Sequence, residues 1–176
     1  VLDVAMDYYG GKVILDSISV FYSYPSDNDL VASQYWHLDY GDKKSLHLMS
    51  YLNNVSALKD GPFVFLDKQQ SAEIGRFNTV RRFSDKKIFK VKGDEEIIPF
   101  YGTAGNSLFV DPAACYHYGS RCKVSRLAIF ITFNSWFPFI QPQPEITENA
   151  LKIKKVAKLV RPDLSELFLD NLLQLN

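Results

Sequence analysis

The chain of 176 residues is long enough for one domain with a substantial core and too short for a second full one. Its 47% apolar and 14% aromatic content, with 13 Phe and 10 Tyr, argues against disorder and for a globular protein rich in sheet. Twenty basic residues balance twenty acidic ones, so no global field draws nucleic acid or anionic lipid, and a charged ligand must be met by a local site.

The longest apolar runs, such as Leu127 to Phe133, fall well short of the roughly 20 residues that span a bilayer, and no charged-then-apolar leader opens the chain. A soluble, cytoplasmic protein is expected. Cys115 and Cys122 are too few for a disulfide framework and fit reduced thiols.

From Lys12 to Tyr24 the run KVILDSISVFYSY is rich in β-branched and aromatic residues and is closed by Pro25, which predicts a first strand. Further strands are expected around Ser33 to His37, Ser45 to Asn53, Pro62 to Leu66, Lys87 to Lys92, Ile97 to Tyr101, Ser107 to Val110, Ala114 to Tyr118 and Arg126 to Phe133. Turn residues at Gly41-Asp42, Asp60-Gly61-Pro62, Gly93-Asp94 and Gly102 to Gly105 separate these runs, and the pattern suggests a β-sandwich or barrel. Ser71 to Arg82 reads equally as loop or helix. After the Pro-rich Gln141 to Pro144, Thr147 is expected to cap a helix with Leu151, Val156, Leu159 and Val160 on one face and lysines opposite. Pro162 interrupts it, and a leucine-rich helical run from Leu164 to Leu175 is expected to pack on the sheet or on another subunit.

The segment Gln34 to Asp39 contains His37-Leu38-Asp39. In a strand, His-x-Asp puts imidazole and carboxylate on one face, where both can grip a metal ion. Further on, NSLFVDPAACYHYGSRCKVSRLAIFITF has a strand ending in His117 and another beginning with Arg126. If those strands pair antiparallel, His117 supplies a third ligand and Arg126 points inward, followed on the same face by Ala128, Phe130 and Thr132. An inward arginine is costly unless an anion meets it, and guanidinium pairs best with a carboxylate. Two His and one carboxylate leave three positions of an octahedral iron open.

In the order of these motifs the chain resembles the phytanoyl-CoA dioxygenase-like family of Fe(II)- and 2-oxoglutarate-dependent oxygenases, across roughly Ser17 to Phe133. His-x-Asp is followed by SLHLMSYLNNVSALKDGPFVFLD, then HYGS and RLAIF. Met49 stands where many relatives have Trp, and LDKQQS where they have a Pro-Gly-Ser-His element. The resemblance implies a mainly β fold, a double-stranded β-helix (jelly-roll, cupin-like) core with flanking helices. We expect a single domain over 1–176, its β core at about 12–135 and a C-terminal helical segment at about 146–175.

It further implies that His37, Asp39 and His117 bind Fe(II), and that Arg126 takes the distal carboxylate of 2-oxoglutarate. Ser120 stands in for a hydroxyl residue that relatives have at Gly119, and Tyr22 adds a cosubstrate contact. Gln34, Tyr35 and Tyr51 are candidates to touch a small-molecule substrate, with aromatic core packing the other reading for the tyrosines. O2 is the oxidant, and the retained Asp39 carboxylate favours hydroxylation, because halogenating relatives have a small residue there.

His47 reads as pocket-lining or as a structural histidine, Cys115 as inward-facing or simply buried, and Arg81-Arg82 as an anion clamp or an exposed pair. Two rival functions stay open: a non-catalytic jelly-roll binding module that retains the metal site, and a cupin-like enzyme that uses another metal without 2-oxoglutarate. A homo-oligomer through the C-terminal helices is a further possibility.

Overall fold

A computed structural model of the chain describes residues 1–75, 82–91 and 97–175. Two antiparallel sheets face each other. The first has strand order β1-β9-β3-β7, with β1 Val13–Ser23, β9 Arg126–Ser135, β3 Ser45–Tyr51 and β7 Ser107–Val110. The second has order β5-β2-β8-β4-β6, with β5 Arg82–Phe83, β2 Trp36–His37, β8 His117–Tyr118, β4 Phe63–Phe65 and β6 Ile98–Phe100. This is a jelly roll with flanking helices. The helices are α1 Leu2–Tyr9, α2 Lys68–Ile74, α3 Asp85–Val91, α4 Pro144–Val160 and α5 Glu166–Leu172. Among the described residues no helix is long and apolar enough to cross a membrane.

Period-2 alternation sorts the side chains into three layers. On the outer face of the first sheet, Val13, Leu15, Leu46 and Phe133 bury against Ala5 of α1, Ile146 and Ala150 of α4, and Leu169 and Leu172 of α5. On the outer face of the second, Trp36, Val64 and Tyr118 bury against Ile74 of α2 and Ile88 of α3. Between the sheets lie Met49, Tyr51, Val55, Phe63, Val110 and Ala128. The helices therefore cover much of both outer faces, with Ile18, Val20 and Tyr22 of β1 left exposed, and leave the interior of the roll to hold a site.

Several expectations change. Of the strand expected over Lys87 to Lys92, residues 87–91 belong instead to α3, where the Lys87 and Ile88 amides donate to the Ser84 carbonyl and Asp85 supplies an acidic first turn, and Lys92 lies outside the described residues. The short run Ile-Phe-Lys-Val carries no period that separates strand from helix, and burial of Ile88 beside Trp36 settles it. Ser33 to His37 is a 3-10 turn, Ala32–Gln34, followed by the two residues of β2. Ser71 to Ile74 is helical, and residues 76–81, Arg81 among them, lie outside the described residues; Arg82 is exposed.

In α4 the cap is Gln143 with Pro144 at the first position, while the Thr147 hydroxyl donates to the Pro144 carbonyl within the helix. Its buried face is Ile146, Ala150, Ile153 and Ala157. The expected row of Leu151, Val156, Leu159 and Val160 is exposed instead. Leu164, Leu169, Leu172 and Leu173 do pack on the first sheet, while Leu167 is exposed. Both cysteines are free.

Candidate metal centre and the two cavities that meet there

His37 and His117 are register partners across β2 and β8, so their rings lie side by side with centroids 4.2 Å apart. The strand ends at His37. Asp39 reaches back from the loop beyond it, held there because its amide donates to the Pro112 carbonyl at 2.9 Å. Asp39 Oδ1 lies 3.5 Å from His37 Nε2 and 3.8 Å from His117 Nε2, and one ligand atom of each residue falls within 4.8 Å of the other two.

The orientation of both rings follows from their backbones. His37 Nδ1 donates to the Tyr35 carbonyl at 2.8 Å, and His117 Nδ1 donates to the Cys115 carbonyl at 3.0 Å. A carbonyl can only accept, so the proton of each neutral ring is pinned on Nδ1 and the Nε2 lone pair faces Asp39. Outer hydrogen bonds of this kind orient metal-binding histidines. His117 also stacks on Phe63, with centroids 5.1 Å apart.

Burial keeps His117 neutral, pushing its pKa down to about 4 against the opposing pull of Asp39. For Asp39 burial acts upward, but its neighbours His37, His117 and His47 favour the charged form more strongly and bring the carboxyl down to about 2. An ionised carboxylate beside imidazole lone pairs is the protonation pattern a divalent cation needs. His47 reaches the same carboxylate from β3, its Nε2 3.8 Å from Asp39 Oδ2.

Arg126 is placed differently from the expectation. β8 and β9 do not pair; they belong to opposite sheets, so Arg126 faces His117 across the roll. The crossing between sheets turns at Ser120, whose φ of 56° is left-handed. The inward phase of Arg126, Ala128, Phe130 and Thr132 is as expected, and Asn134 extends it.

The guanidinium is 4% exposed. Nη1 donates to the Gly61 carbonyl at 2.8 Å and Nη2 to Ser23 Oγ at 3.4 Å, while Nε has no partner. No carboxylate among the described residues pairs with it, and burial lowers its pKa. Gly119 lies alongside: a Cβ there would sit 3.5 Å from Nη1, an ordinary van der Waals contact. A cavity of about 260 Å³ joins Arg126, Ser23, Ser120 and Phe63 to His37, His117 and Asp39. A second, of about 410 Å³, opens on the other side of Asp39 and His47.

Of the remaining expected site residues, Ser120 lines the Arg126 cavity. Tyr22 does not: it lies on the outer face of β1, half exposed, with its hydroxyl donating to Ser125 Oγ, and its neighbours Phe21 and Ser23 face inward. Gln34 is a brace, with Oε1 accepting from the Val31 amide and Nε2 donating to the Ser120 carbonyl. Tyr35 contributes its carbonyl to His37 and lines neither cavity. Tyr51 is fully buried core, stacked on Phe100 with its hydroxyl donating to the Phe100 carbonyl and accepting from the Phe63 amide. Sequence reasoning missed Ser23, whose signal is its register with Arg126.

No family model matches the chain, and no curated protein matches it. Solved structures do. HygX from Streptomyces hygroscopicus, with nickel, 2-oxoglutarate and hygromycin B bound, is 12% identical with a TM-score of 0.53, the match covering 78% of this chain and 62% of that one. EctD from S. alaskensis, with 2-oxoglutarate and 5-hydroxyectoine, is 18% identical with a TM-score of 0.56, covering 81% and 54%. SnoK, a non-heme alpha ketoglutarate dependent carbocyclase from nogalamycin biosynthesis, is 13% identical with a TM-score of 0.54, covering 84% and 60%. The chain spans less than two thirds of each. The likeness is one of fold.

Proposed function

We propose that the chain is an Fe(II)- and 2-oxoglutarate-dependent oxygenase that hydroxylates a small organic molecule. The observation that carries this reading is a single arrangement: two Nε2 lone pairs and an ionised carboxylate converge at one end of a cavity whose other end is a buried, anion-free arginine. The donor set suits the metal, since two imidazoles and one carboxylate form the facial triad of non-heme iron. The orphaned guanidinium suits the cosubstrate, since a buried charge without a counter-ion is costly until a ligand supplies one.

In this reading His37, Asp39 and His117 hold the iron, and Arg126, with Ser23 and Ser120 beside it, binds the distal carboxylate of 2-oxoglutarate. Bound together, Fe(II), 2-oxoglutarate and O2 supply the oxidising power to replace a C–H hydrogen with hydroxyl, releasing succinate and CO2. The chain's own contribution is placement. Tyr35 and Cys115 carbonyls keep both Nε2 atoms unprotonated, and Phe63 shields one face of His117. Hydroxylation fits the retained Asp39, and the motif order fits the phytanoyl-CoA dioxygenase-like members of the class.

The same reading takes residues 1–176 as one oxygenase domain working in the cytoplasm. Self-association through the C-terminal helices belongs to it as well, since Leu151, Val156, Leu159 and Val160 expose an apolar row on α4; light scattering of Leu159→Glu beside the parent chain tests that point.

The central test is anaerobic addition of Fe(II) and 2-oxoglutarate. A visible charge-transfer band in the parent chain that disappears in His37→Ala is expected, followed by succinate formation on admitting oxygen. Bound iron without the band, and no succinate, would instead favour a jelly-roll binding module.

A further inference from the structure

The larger cavity beyond Asp39 has a chemistry of its own. Its wall is the inner face of the first sheet at the end away from Arg126, where Ser17 and Ser19 of β1, Ser45 of β3, and Thr132 and Asn134 of β9 present their side chains. Phe21, Phe130 and Ile140 add apolar surface, and among the described residues no lysine or arginine lines it. Its volume of about 410 Å³ lies in the range that encloses a small molecule.

The charged residue at its far end is there because of a bulge. Leu15 is opposite Phe133 and Ser17 is opposite Thr132, so Asp16 is one residue too many for the ladder. Bulges of this kind re-aim a side chain at the expense of strand pairing. Here the displaced Asp16 carbonyl accepts from the Gln143 amide at 3.0 Å, and the carboxylate turns to the cavity.

Asp16 Oδ1 accepts from Asn134 Nδ2 at 3.0 Å, and Asn134 Oδ1 accepts from Ser45 Oγ at 3.0 Å, a chain that fixes the carboxylate in position. No lysine or arginine among the described residues neutralises it. It mirrors Arg126: a partly desolvated charge, held by neutral hydrogen bonds, without a counter-ion among the described residues.

We propose that this cavity is the substrate subsite of the metal centre and takes a hydroxylated small molecule carrying a protonated amine, with the ammonium on Asp16 and the hydroxyls on the Ser17, Ser19, Thr132 and Asn134 row. The proposal rests on the oxygenase reading above and deepens it. Geometry sets the reacting end, because the same cavity is bounded by Asp39 and His47, so a molecule anchored at Asp16 extends toward the metal ligands. An acyl thioester of a phosphorylated carrier is disfavoured, since among the described lining residues its phosphates meet two carboxylates and no cation.

Binding, rather than turnover, tests this. Glucosamine, N-acetylglucosamine, glucose and octanoate are titrated by calorimetry into the protein, into Asp16→Asn, and into Ser19→Arg, which adds a cation from edge strand β1. Saturable glucosamine binding is expected, about tenfold or more tighter than that of N-acetylglucosamine, as a charge-assisted hydrogen bond requires. Asp16→Asn should lose that margin while melting at or above the parent temperature, and Ser19→Arg should abolish amine binding. Octanoate or N-acetylglucosamine binding as tightly as glucosamine, an unchanged margin in Asp16→Asn, or no saturable amine binding would overturn the proposal. A missing charge-transfer band with amine selectivity intact would count against the iron and 2-oxoglutarate reading alone; the band without selectivity would count against the subsite alone.

Discussion

The two ends of the roll's interior differ in the sign of their unpaired charge. Arg126 opens β9 and Asn134, beside Asp16, nearly closes it, roughly 26 Å apart on the same face of one strand. At the first end a cation waits without an anion; at the second an anion sits without a cation. The candidate metal ligands lie between, where the two cavities share Phe21, Asp39, His47 and Phe130. A desolvated charge is costly until a partner meets it, so opposite unpaired charges on either side of the candidate metal ligands are what the proposed binding of two oppositely charged ligands requires.

The largest effect is expected from removing the positive end. Arg126→Met takes away a buried guanidinium whose Nε is orphaned, so the protein should keep its melting temperature or raise it. Affinity for 2-oxoglutarate, read from the charge-transfer band, should fall by roughly two to three orders of magnitude, as for loss of one partner of a buried charge pair. A fall of less than about tenfold would break the comparison, because the arginine would then be structural.

The centre between the ends predicts a pH effect in the metal-free protein. The pKa of His117 is lowered in the fold from 6.5 to about 4, so in that interval the unfolded chain binds the proton and the folded one resists it. Stability is therefore fully present above about pH 6.5 and is lost as pH falls toward about 4, by about 3 kcal/mol at the most. His47, also lowered by burial, acts with the same sign. Asp39 acts in a different window: lowered to about 2, its contribution is present above its ordinary value of 3.8 and is lost only below it. Urea melts across this range should show the loss, and His117→Asn should flatten it. A divalent cation should shift the onset to lower pH, since it competes with the proton for Nε2.

What the sequence made legible follows from where the pattern is regular. β9 runs for ten residues with no bulge against β3, so the inward phase of Arg126, Phe130 and Thr132 could be read directly. His37, Asp39 and His117 were readable as a set because their motif order is distinctive, though not the pairing that brings them together. Adjacent motifs suggest adjacent strands, whereas the turn at Ser120 carries the chain from one sheet to the other.

β1 misleads for two reasons. The bulge at Asp16 shifts its phase, and its inner face at a cavity is serine-rich while its outer face holds the exposed Ile18, Val20 and Tyr22. The ordinary rule of apolar inside and polar outside is inverted there, which is why Tyr22 attracts attention and Ser23 does not. α3 was hidden by a run too short to show a period, and the buried stripe of α4 by exposed leucines that outweigh its alanines.

The smallest effects sharpen the comparison most, because they treat the two ends alike. Ser23→Ala removes the hydroxyl that accepts from Arg126 Nη2, and Thr132→Val replaces a cavity hydroxyl by a methyl of nearly the same volume. Each change should weaken one ligand by about threefold to tenfold, the range of a single hydrogen bond. Ser23→Ala should weaken 2-oxoglutarate, and Thr132→Val should weaken glucosamine. Combined in one chain, the losses should add within about 0.5 kcal/mol, since the two side chains share no partner. If instead Thr132→Val weakened 2-oxoglutarate as much as Ser23→Ala does, the interior would be one continuous site for a single ligand, and the opposite charges at its ends would have to serve two ends of the same molecule.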